Sequence, residues 1–201
     1  MDKQLHCELV SWSQFQRLCR DLAFEIKKSS FEPDMIVAIG RGGLIPARIL
    51  SDFLDINDLT SFKIEHYLST EKSKDAIVRY PLSADINNKN ILLVDDVSDS
   101  GDTYIAALKH LAEIGRAKEV KTVALHYKTV SYYKPDFYIK TIVKWRWLIY
   151  PWAVYEDVTD FIQKMSPKPK TVEEAKQYLY DNYKLKISSR LLTDIMNLME
   201  C

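Results

Sequence analysis

Two short apolar runs, each followed by a polar loop that contains glycine, constrain the fold of this chain more than any other feature. The runs are Met35–Ile39 and Ile91–Val94, and the loops after them open with Gly40-Arg41-Gly42-Gly43 and Asp95-Asp96. Continuous apolar strands of this length are typical of parallel sheets, whose two faces are both covered by helices. A third strand is predicted at Val120–His126. The order of these segments predicts an α/β fold with a mostly parallel sheet and right-handed crossovers.

Helical spacing of apolar residues marks the segments between these strands. A first helix is predicted behind the candidate N-caps Ser11 and Ser13, and another behind each of the two polar loops, the latter ending at Gly115. For that last helix, the spacing predicts an inward face made of Ile105, Leu108, Leu111 and Ala112. Strands are also predicted at 62–68 and at Ala76–Tyr80, with the polar loop Ser69–Asp75 between them.

The order of segments predicts one main domain with a short helical appendage. We expect the main domain to span residues 1–160 of the 201, and residues 161–201 to hold a linker and two amphipathic helices. The linker is Met165–Lys170, which contains two prolines, and the helices are predicted at about 172–182 and 189–199. Their apolar stripe needs cover, so we expect the appendage to pack on the main domain.

Composition excludes several classes of protein. The chain carries 28 Lys and Arg against 28 Asp and Glu, a balance that favours neither a nucleic-acid groove nor an anionic-membrane surface. No apolar run approaches the roughly 20 residues that a membrane-spanning helix needs, and the N-terminus lacks a signal-peptide core. Cys7, Cys19 and Cys201 lack the spacing of a zinc site or a disulfide framework. We therefore expect a cytoplasmic globular protein.

Glycine is scarce in this chain, and its placement points to ligand binding. Of five glycines, Gly115 ends a helix and the other four lie in the two loops behind the buried strands. Open α/β sheets bind ligands at this edge, where the carboxyl ends of parallel strands meet. A tight turn alone would account for either loop, but the two together favour a ligand whose groups approach the backbone closely.

The familiar glycine-loop and calcium motifs do not fit these loops. A dinucleotide-binding fingerprint needs glycine or alanine where Ile45 stands, and the chain has no GxxxxGK[ST] sequence. A calcium-binding loop that begins at Asp96 would place Gly101 correctly at its sixth position. Its twelfth position would be Ala107 where glutamate is required.

The second loop combines crowded carboxylates with the start of a helix. Asp95, Asp96, Asp99 and Asp102 lie within eight residues, which in many proteins is only a solvated acidic turn. Here the apolar strand Ile91–Val94 precedes them, so the first carboxylates emerge at the sheet edge and need compensating hydroxyls, amides or a metal ion. The free amides and hydroxyls of Ser100–Thr103 make a natural cradle for a phosphomonoester. The loop thus offers hydrogen-bond acceptors for a diol beside donors for a phosphate. A ribose phosphate carries both of these groups.

Both loops resemble motifs of one known family. Residues Ile91–Thr103 resemble the phosphoribosyl-pyrophosphate (PRPP) signature of type I phosphoribosyltransferases. Gly40–Pro46 resembles the pyrophosphate loop of the family, in the form found in bacterial xanthine-guanine enzymes. The resemblance covers about residues 10–155 and is closest to the 6-oxopurine (xanthine-guanine and hypoxanthine-guanine) enzymes. It implies a central, mostly parallel sheet flanked by helices, a small hood at about 127–155, and a C-terminal helical extension outside the family fold.

The resemblance also implies roles for individual residues of the loops. Asp95 and Asp96 would hold the ribose hydroxyls, directly or through the shell of a Mg²⁺ ion that PRPP itself mainly holds. Asp99 would exchange a proton with the imidazole ring of the base. The predicted phosphate ligands are Ser100, Gly101, Asp102 and Thr103, and the predicted pyrophosphate ligands are Arg41 and Gly42. The family also often has a cis peptide in the first loop, here expected at Gly40–Arg41, and a flexible lid at the position of Ser69–Asp75.

Residues of the hood would bind the base. Lys128 is placed like the lysine that reads the 6-oxo group, Trp147 like the aromatic that stacks on the base, and Leu148 like the residue whose backbone reads the ring edge. The hood is rich in aromatic residues, most of which are expected to serve in core or subunit packing. Ala153 stands where relatives commonly carry an acid, which leaves any metal or base contact there in question.

The resemblance implies a Mg²⁺-dependent enzyme of purine salvage. It would transfer the 5-phosphoribosyl group from PRPP to hypoxanthine, guanine or xanthine, and would act as a homodimer or a larger homo-oligomer. One alternative is the same reaction on another base, although Lys128 disfavours adenine because a lysine meets an amino group poorly. The other is a regulator that binds PRPP or a nucleotide without catalysis.

Overall fold

The computed structural model describes residues 5–68 and 74–200 and has the predicted alternation of strands and helices. The helices are α1 (Trp12–Lys28), α2 (Leu44–Leu54), α3 (Asp102–Ile114), α4 (Val154–Gln163), α5 (Val172–Tyr183) and α6 (Ser189–Glu200). The strands are β1 (Cys7–Leu9), β2 (Met35–Gly40), β3 (Leu59–Leu68), β4 (Lys74–Tyr80), β5 (Asn90–Val94), β6 (Val97–Ser98), β7 (Glu119–Lys128), β8 (Phe137–Ile142) and β9 (Trp147–Ile149). Among the described residues, no helix is long and apolar enough to cross a membrane.

A seven-stranded, mostly parallel sheet confirms the predicted fold class. Its strands run in the order β4-β3-β2-β5-β7-β6, and β8 also pairs with β7. Every pair is parallel except β3 with β4. The central strands β2 and β5 are buried on both faces, as their continuous apolar runs predict. Their register pairs Ala38 with Val94, so β2 runs two residues past the end of β5, and the two polar loops emerge side by side at the same edge of the sheet.

The segment predicted as a loop at Ser69–Asp75 is shorter at its C-terminal end. Lys74 and Asp75 already belong to β4, where they pair with Leu68 and Tyr67 of β3. Ser69–Ser73, which carries the predicted lid, lies outside the described residues.

Helix α3 buries a different face from the one that its spacing predicts. Tyr104, Ala107, His110 and Leu111 face the core, whereas Ile105 and Ala112 are exposed. The Tyr104 hydroxyl donates a hydrogen bond of 2.6 Å to the backbone oxygen of Val123 on β7. The His110 ring accepts one of 3.0 Å from the backbone of Leu82. These two buried hydrogen bonds set the rotation of the helix, so the prediction for Ile105 and Ala112 was wrong. Leu108 is partly buried and packs against the core as predicted.

The chain divides into two compact units. Gln16–Trp145 forms the first, with the sheet and both polar loops, and Met1–Phe15 with Arg146–Cys201 forms the second. The predicted hood, residues 127–155, is therefore divided between the units after Trp145. The predicted boundary at residue 160 falls inside the second unit and stays a prediction.

The second unit has its own core. Strand β1 pairs in parallel with β9, and Cys7 lies opposite Trp147. Helices α5 and α6 begin at the residues that the sequence predicts, and Thr171 caps α5 by accepting a hydrogen bond from the backbone of Glu174. Their apolar residues, among them Leu179 and Leu192, pack with Ile149 of β9 and Val158 of α4. The C-terminal helices are therefore covered by elements from within residues 1–160.

Gly43 gives a direct test of the β2–β5 junction. A Cβ atom there would lie 2.2 Å from the backbone oxygen of Val94 and 2.8 Å from that of Ile39. Backbone atoms in a central sheet cannot move aside. We therefore expect Gly43→Ala to lower the free energy of unfolding by about 1–3 kcal/mol or more. Urea unfolding measures this loss.

Gly115→Ala is the matched control, because its new methyl group would meet side-chain atoms of Ile86 and Asn87, none closer than 2.8 Å, and no sheet backbone. We expect the control to lose clearly less stability. Equal losses in the two variants would contradict the close approach at Gly43.

Candidate active site

The two polar loops contact each other at the carboxyl ends of β2 and β5. A Cβ atom placed on Gly42 would lie 2.6 Å from a carboxylate oxygen of Asp96, so only glycine lets the first loop approach this acid so closely. The peptide bond between Gly40 and Arg41 is cis, which confirms the expectation from the family resemblance. The Arg41 side chain is exposed beside this junction. The structure thus brings together Arg41, Gly42 and Asp96 as the sequence predicts.

Asp95 and Asp96 form a rigid acidic pair at the end of β5. Asp95 is only 8% exposed, and its Oδ1 accepts a hydrogen bond of 2.9 Å from the backbone N–H of Asp96. The Asp96 backbone oxygen in turn accepts from the N–H groups of Leu125 and His126 on β7. Burial raises the pKa of the Asp95 carboxyl well above its ordinary value, and the neighbouring charge of Asp96 raises it further.

The rest of the second loop encloses a small pocket. A pocket of about 200 Å³ is lined by residues 95–101 together with Thr103 and Tyr104. Gly101 has φ 104°, in the left-handed region, and a Cβ there would lie 2.7 Å from Tyr133 Cβ. Asp102 opens α3, and its carboxylate accepts a hydrogen bond of 2.6 Å from the Ser100 hydroxyl. The N–H groups of this helix start are the expected donors to a phosphate.

The predicted catalytic carboxylate and the predicted base-reading lysine are in direct contact. Lys128 is the last residue of β7, and its Nζ donates a hydrogen bond of 2.6 Å to Oδ2 of Asp99. The Lys128 side chain is 2% exposed and that of Asp99 is 39% exposed. A buried cation therefore meets a carboxylate that a ligand can reach from solvent.

Trp145 belongs to the same cluster, and sequence reasoning missed it. Its indole Nε1 donates a hydrogen bond of 3.0 Å to Oδ1 of Asp99. The Lys128 ammonium lies 4.4 Å from the centre of the Trp145 ring. In the sequence Trp145 is only one of several aromatic residues of the hood. No spacing rule links it to an aspartate 46 residues away.

Trp147 and Leu148, the other predicted base-binding residues, lie on β9 of the second unit. The Trp147 backbone N–H donates a hydrogen bond of 2.8 Å to the His6 oxygen, and its side chain hydrogen-bonds Asp157. Burial raises the pKa of the Asp157 carboxyl to about 6, although the bond from Trp147 acts in the opposite direction. Ala153 is the N-cap residue of α4 and supplies no capping side chain. The contacts of Trp147 and Leu148 with a base stay predictions.

Comparison with known proteins assigns the family. The family described as the phosphoribosyl transferase domain matches residues 8–159. The chain therefore belongs to the phosphoribosyltransferase family. A xanthine-guanine phosphoribosyltransferase from Cereibacter sphaeroides is 32% identical over 155 residues, which cover 71% of this chain and 84% of that protein.

Two solved structures share the fold and most of this chain. A purine phosphoribosyltransferase from Pyrococcus horikoshii aligns with a TM-score of 0.65 and 31% identity over 74% of this chain and 94% of that one. A hypothetical protein from Neisseria gonorrhoeae with bound ppGpp aligns with a TM-score of 0.66 and 28% identity over 75% of this chain and 90% of that one.

The buried Asp95 carboxyl gives a prediction about stability. Its pKa is raised in the folded chain from an ordinary 3.8, so ionisation at neutral pH costs the folded state more than the unfolded state. We expect Asp95→Asn to raise the free energy of unfolding at pH 8 in metal-free buffer. The gain shrinks as the pH falls and vanishes below about pH 4, where the wild-type carboxyl is neutral in both states.

Chemical unfolding between pH 4 and pH 8 measures this gain. Asp58→Asn is the control, because Asp58 is an exposed carboxylate that pairs with Lys89. Its effect should not grow with pH in the same direction. A constant or declining gain for Asp95→Asn would contradict the raised pKa.

Proposed function

We propose that this chain is a purine-salvage phosphoribosyltransferase that transfers the 5-phosphoribosyl group from PRPP to a 6-oxopurine. The products are the nucleoside monophosphate and pyrophosphate. The names of the similar proteins support the reaction, and the contact between Lys128 and Asp99 carries the choice of base.

One edge of a 6-oxopurine matches that contact. The edge carries the O6 acceptor beside N7, which bears a proton in one tautomer of the free base. Lys128 can donate to O6, and Asp99 can accept from the N7–H group. Two neighbouring protein groups therefore match two neighbouring groups of the base. Adenine presents an amino donor at C6, where the lysine offers only donors. Because Lys128 is buried, a base that turns an amino donor toward its ammonium incurs an energetic cost.

The reaction requires a proton acceptor, and Asp99 is placed to be one. The N9–C1′ bond forms as the bond from C1′ to pyrophosphate breaks, and pyrophosphate takes the electron pair. The imidazole ring of the free base carries one proton that the product lacks, and Asp99 accepts that proton. The amides of Ser100–Thr103 bind the 5′-phosphate, Asp95 and Asp96 accept from the ribose hydroxyls, and Arg41 with Gly42 binds pyrophosphate.

The carboxylates fit a magnesium ion that is shared with the substrate. Among the described residues, no cluster of three acidic, histidine or cysteine side chains is arranged to hold a metal by itself. Asp96 nevertheless faces Gly42 of the pyrophosphate loop with a hard oxygen donor, and Asp95 lies next to it. Magnesium is commonly held by one or two carboxylates together with substrate phosphates and water. When bound here, it would neutralise charge on the leaving pyrophosphate.

Pyrophosphate release with a panel of bases tests the proposal. The wild-type chain is supplied with PRPP, Mg²⁺ and, in turn, hypoxanthine, guanine, xanthine, adenine, orotate or uracil. We expect turnover with one or more of the 6-oxopurines and little with the others. Turnover with adenine or a pyrimidine alone would keep the family and refute the assigned role of Lys128.

A regulator without catalysis is the second candidate, because one similar structure holds bound ppGpp. Tight binding of PRPP or a nucleotide without release of pyrophosphate from any base would favour this role. A homodimeric or larger assembly and a cytoplasmic location stay predictions from the sequence.

Asp99→Asn separates proton transfer from substrate binding. Asparagine keeps the shape of the side chain but cannot accept a proton, so we expect turnover to fall by about 10²–10⁴-fold. The affinity for PRPP, measured by calorimetry, should change by less than about twofold because Asp99 is assigned to the base.

Asp21→Asn is the control, since Asp21 is an exposed carboxylate of α1 that pairs with Arg20. The control should keep wild-type turnover. Near-normal turnover in Asp99→Asn would show that Asp99 does not accept the proton.

A further inference from the structure

The protein donates a hydrogen bond to each of the two oxygens of the Asp99 carboxylate. Lys128 donates to Oδ2 at 2.6 Å, and the Trp145 indole N–H donates to Oδ1 at 3.0 Å. These two donors approach different oxygens, so together they restrict rotation of the carboxylate about its own axis. A proton acceptor must be aimed at the base, and these two bonds aim it.

Trp145 also contacts the partner of Asp99. The Lys128 ammonium lies 4.4 Å from the centre of the Trp145 ring, within the range of a cation–π interaction. A buried ammonium is costly unless several groups compensate it. The ammonium has three N–H groups, so it can donate to the O6 atom of a base and keep its bond to Asp99. Trp145 therefore stabilises Lys128 with and without a bound base.

Core packing does not account for the position of Trp145. The residue is 40% exposed, more than is usual for a tryptophan that serves only in a core. Its indole N–H donates to Asp99 and its ring faces Lys128, so it contacts two predicted base-site residues at once. The family resemblance names Trp147, two residues later, as the stacking aromatic and assigns no role to Trp145.

We propose that Trp145 is a positioning residue of the base site with two separable parts. Its indole N–H orients Asp99 for proton transfer, and its ring holds the Lys128 ammonium in place for the 6-oxo group. This inference rests on the proposed transfer to a 6-oxopurine.

Two variants separate these parts. Trp145→Phe keeps an aromatic face over Lys128 and removes the N–H donor. We expect its kcat with hypoxanthine to fall at least about tenfold, the effect of one hydrogen bond to a charged group, while the KM values for hypoxanthine and PRPP change little. Trp145→Leu removes both parts, so its KM for hypoxanthine should also rise several-fold.

Trp12→Phe is the matched control, because Trp12 is an exposed tryptophan of α1. It should keep wild-type kcat and KM, and all three variants should unfold at similar urea concentrations. A purely structural role for Trp145 would instead lower stability and move every kinetic constant together. Unchanged kinetics in Trp145→Phe and Trp145→Leu would overturn the proposal.

The indole resonance of Trp145 tests the contact independently of activity. The chain has four tryptophans, and loss of one ¹⁵N–¹H indole signal in Trp145→Phe assigns it. We expect Asp99→Ala to shift this signal most and to speed its exchange with solvent, because the acceptor is gone. An unshifted signal would overturn the proposal. This measurement stands even if the wild-type chain turns over no base, a result that would refute the proposed function itself.

Discussion

The parallel pairing of β2 with β5 at the centre of the sheet determines where the residues of the first unit's candidate site lie. Because the two strands are parallel neighbours, their loops emerge side by side, and Gly43 allows the backbones to approach within a distance that no side chain would permit. The next strand of the sheet, β7, exchanges backbone hydrogen bonds with Asp95 and Asp96 at the end of β5 and carries Lys128 at its own end. The loop after β2, the acidic pair and Lys128 thus share one edge of the sheet.

The charges at this edge are arranged for binding rather than for stability. Burial and a neighbouring charge both work against ionisation of Asp95, and Asp96 lies against a glycine of the other loop. Such a pair does not stabilise the fold, and it is useful only to a protein that binds a cationic ligand or a diol there. Lys128 and Asp99 differ from the acidic pair, because each compensates the charge of the other. Charged groups that are placed for binding at a cost to stability are typical of active sites.

Local patterns predicted the features that local physics controls. The apolar runs located the buried strands, because a central parallel strand has no polar face. The Ser11 N-cap accepts from the Gln14 backbone as expected, and the starts of α5 and α6 were right. Side-chain contacts between distant segments were not predictable in this way. The rotation of α3 depends on a bond from Tyr104 to β7, and the role of Trp145 depends on a loop 46 residues earlier.

If Asp99 and Lys128 bind the O6 and N7 edge of a 6-oxopurine, a base analogue that keeps the N7–H group must bind more tightly than one that lacks it. Inhibition of hypoxanthine turnover by 9-deazahypoxanthine and by 7-deazahypoxanthine measures this difference, because both analogues keep O6 and only the first keeps the N7–H assigned to Asp99. We expect the 7-deaza analogue to inhibit at least about tenfold more weakly, the effect of one hydrogen bond to a charged group. Equal inhibition constants for the two analogues would show that Asp99 does not contact this edge of the base.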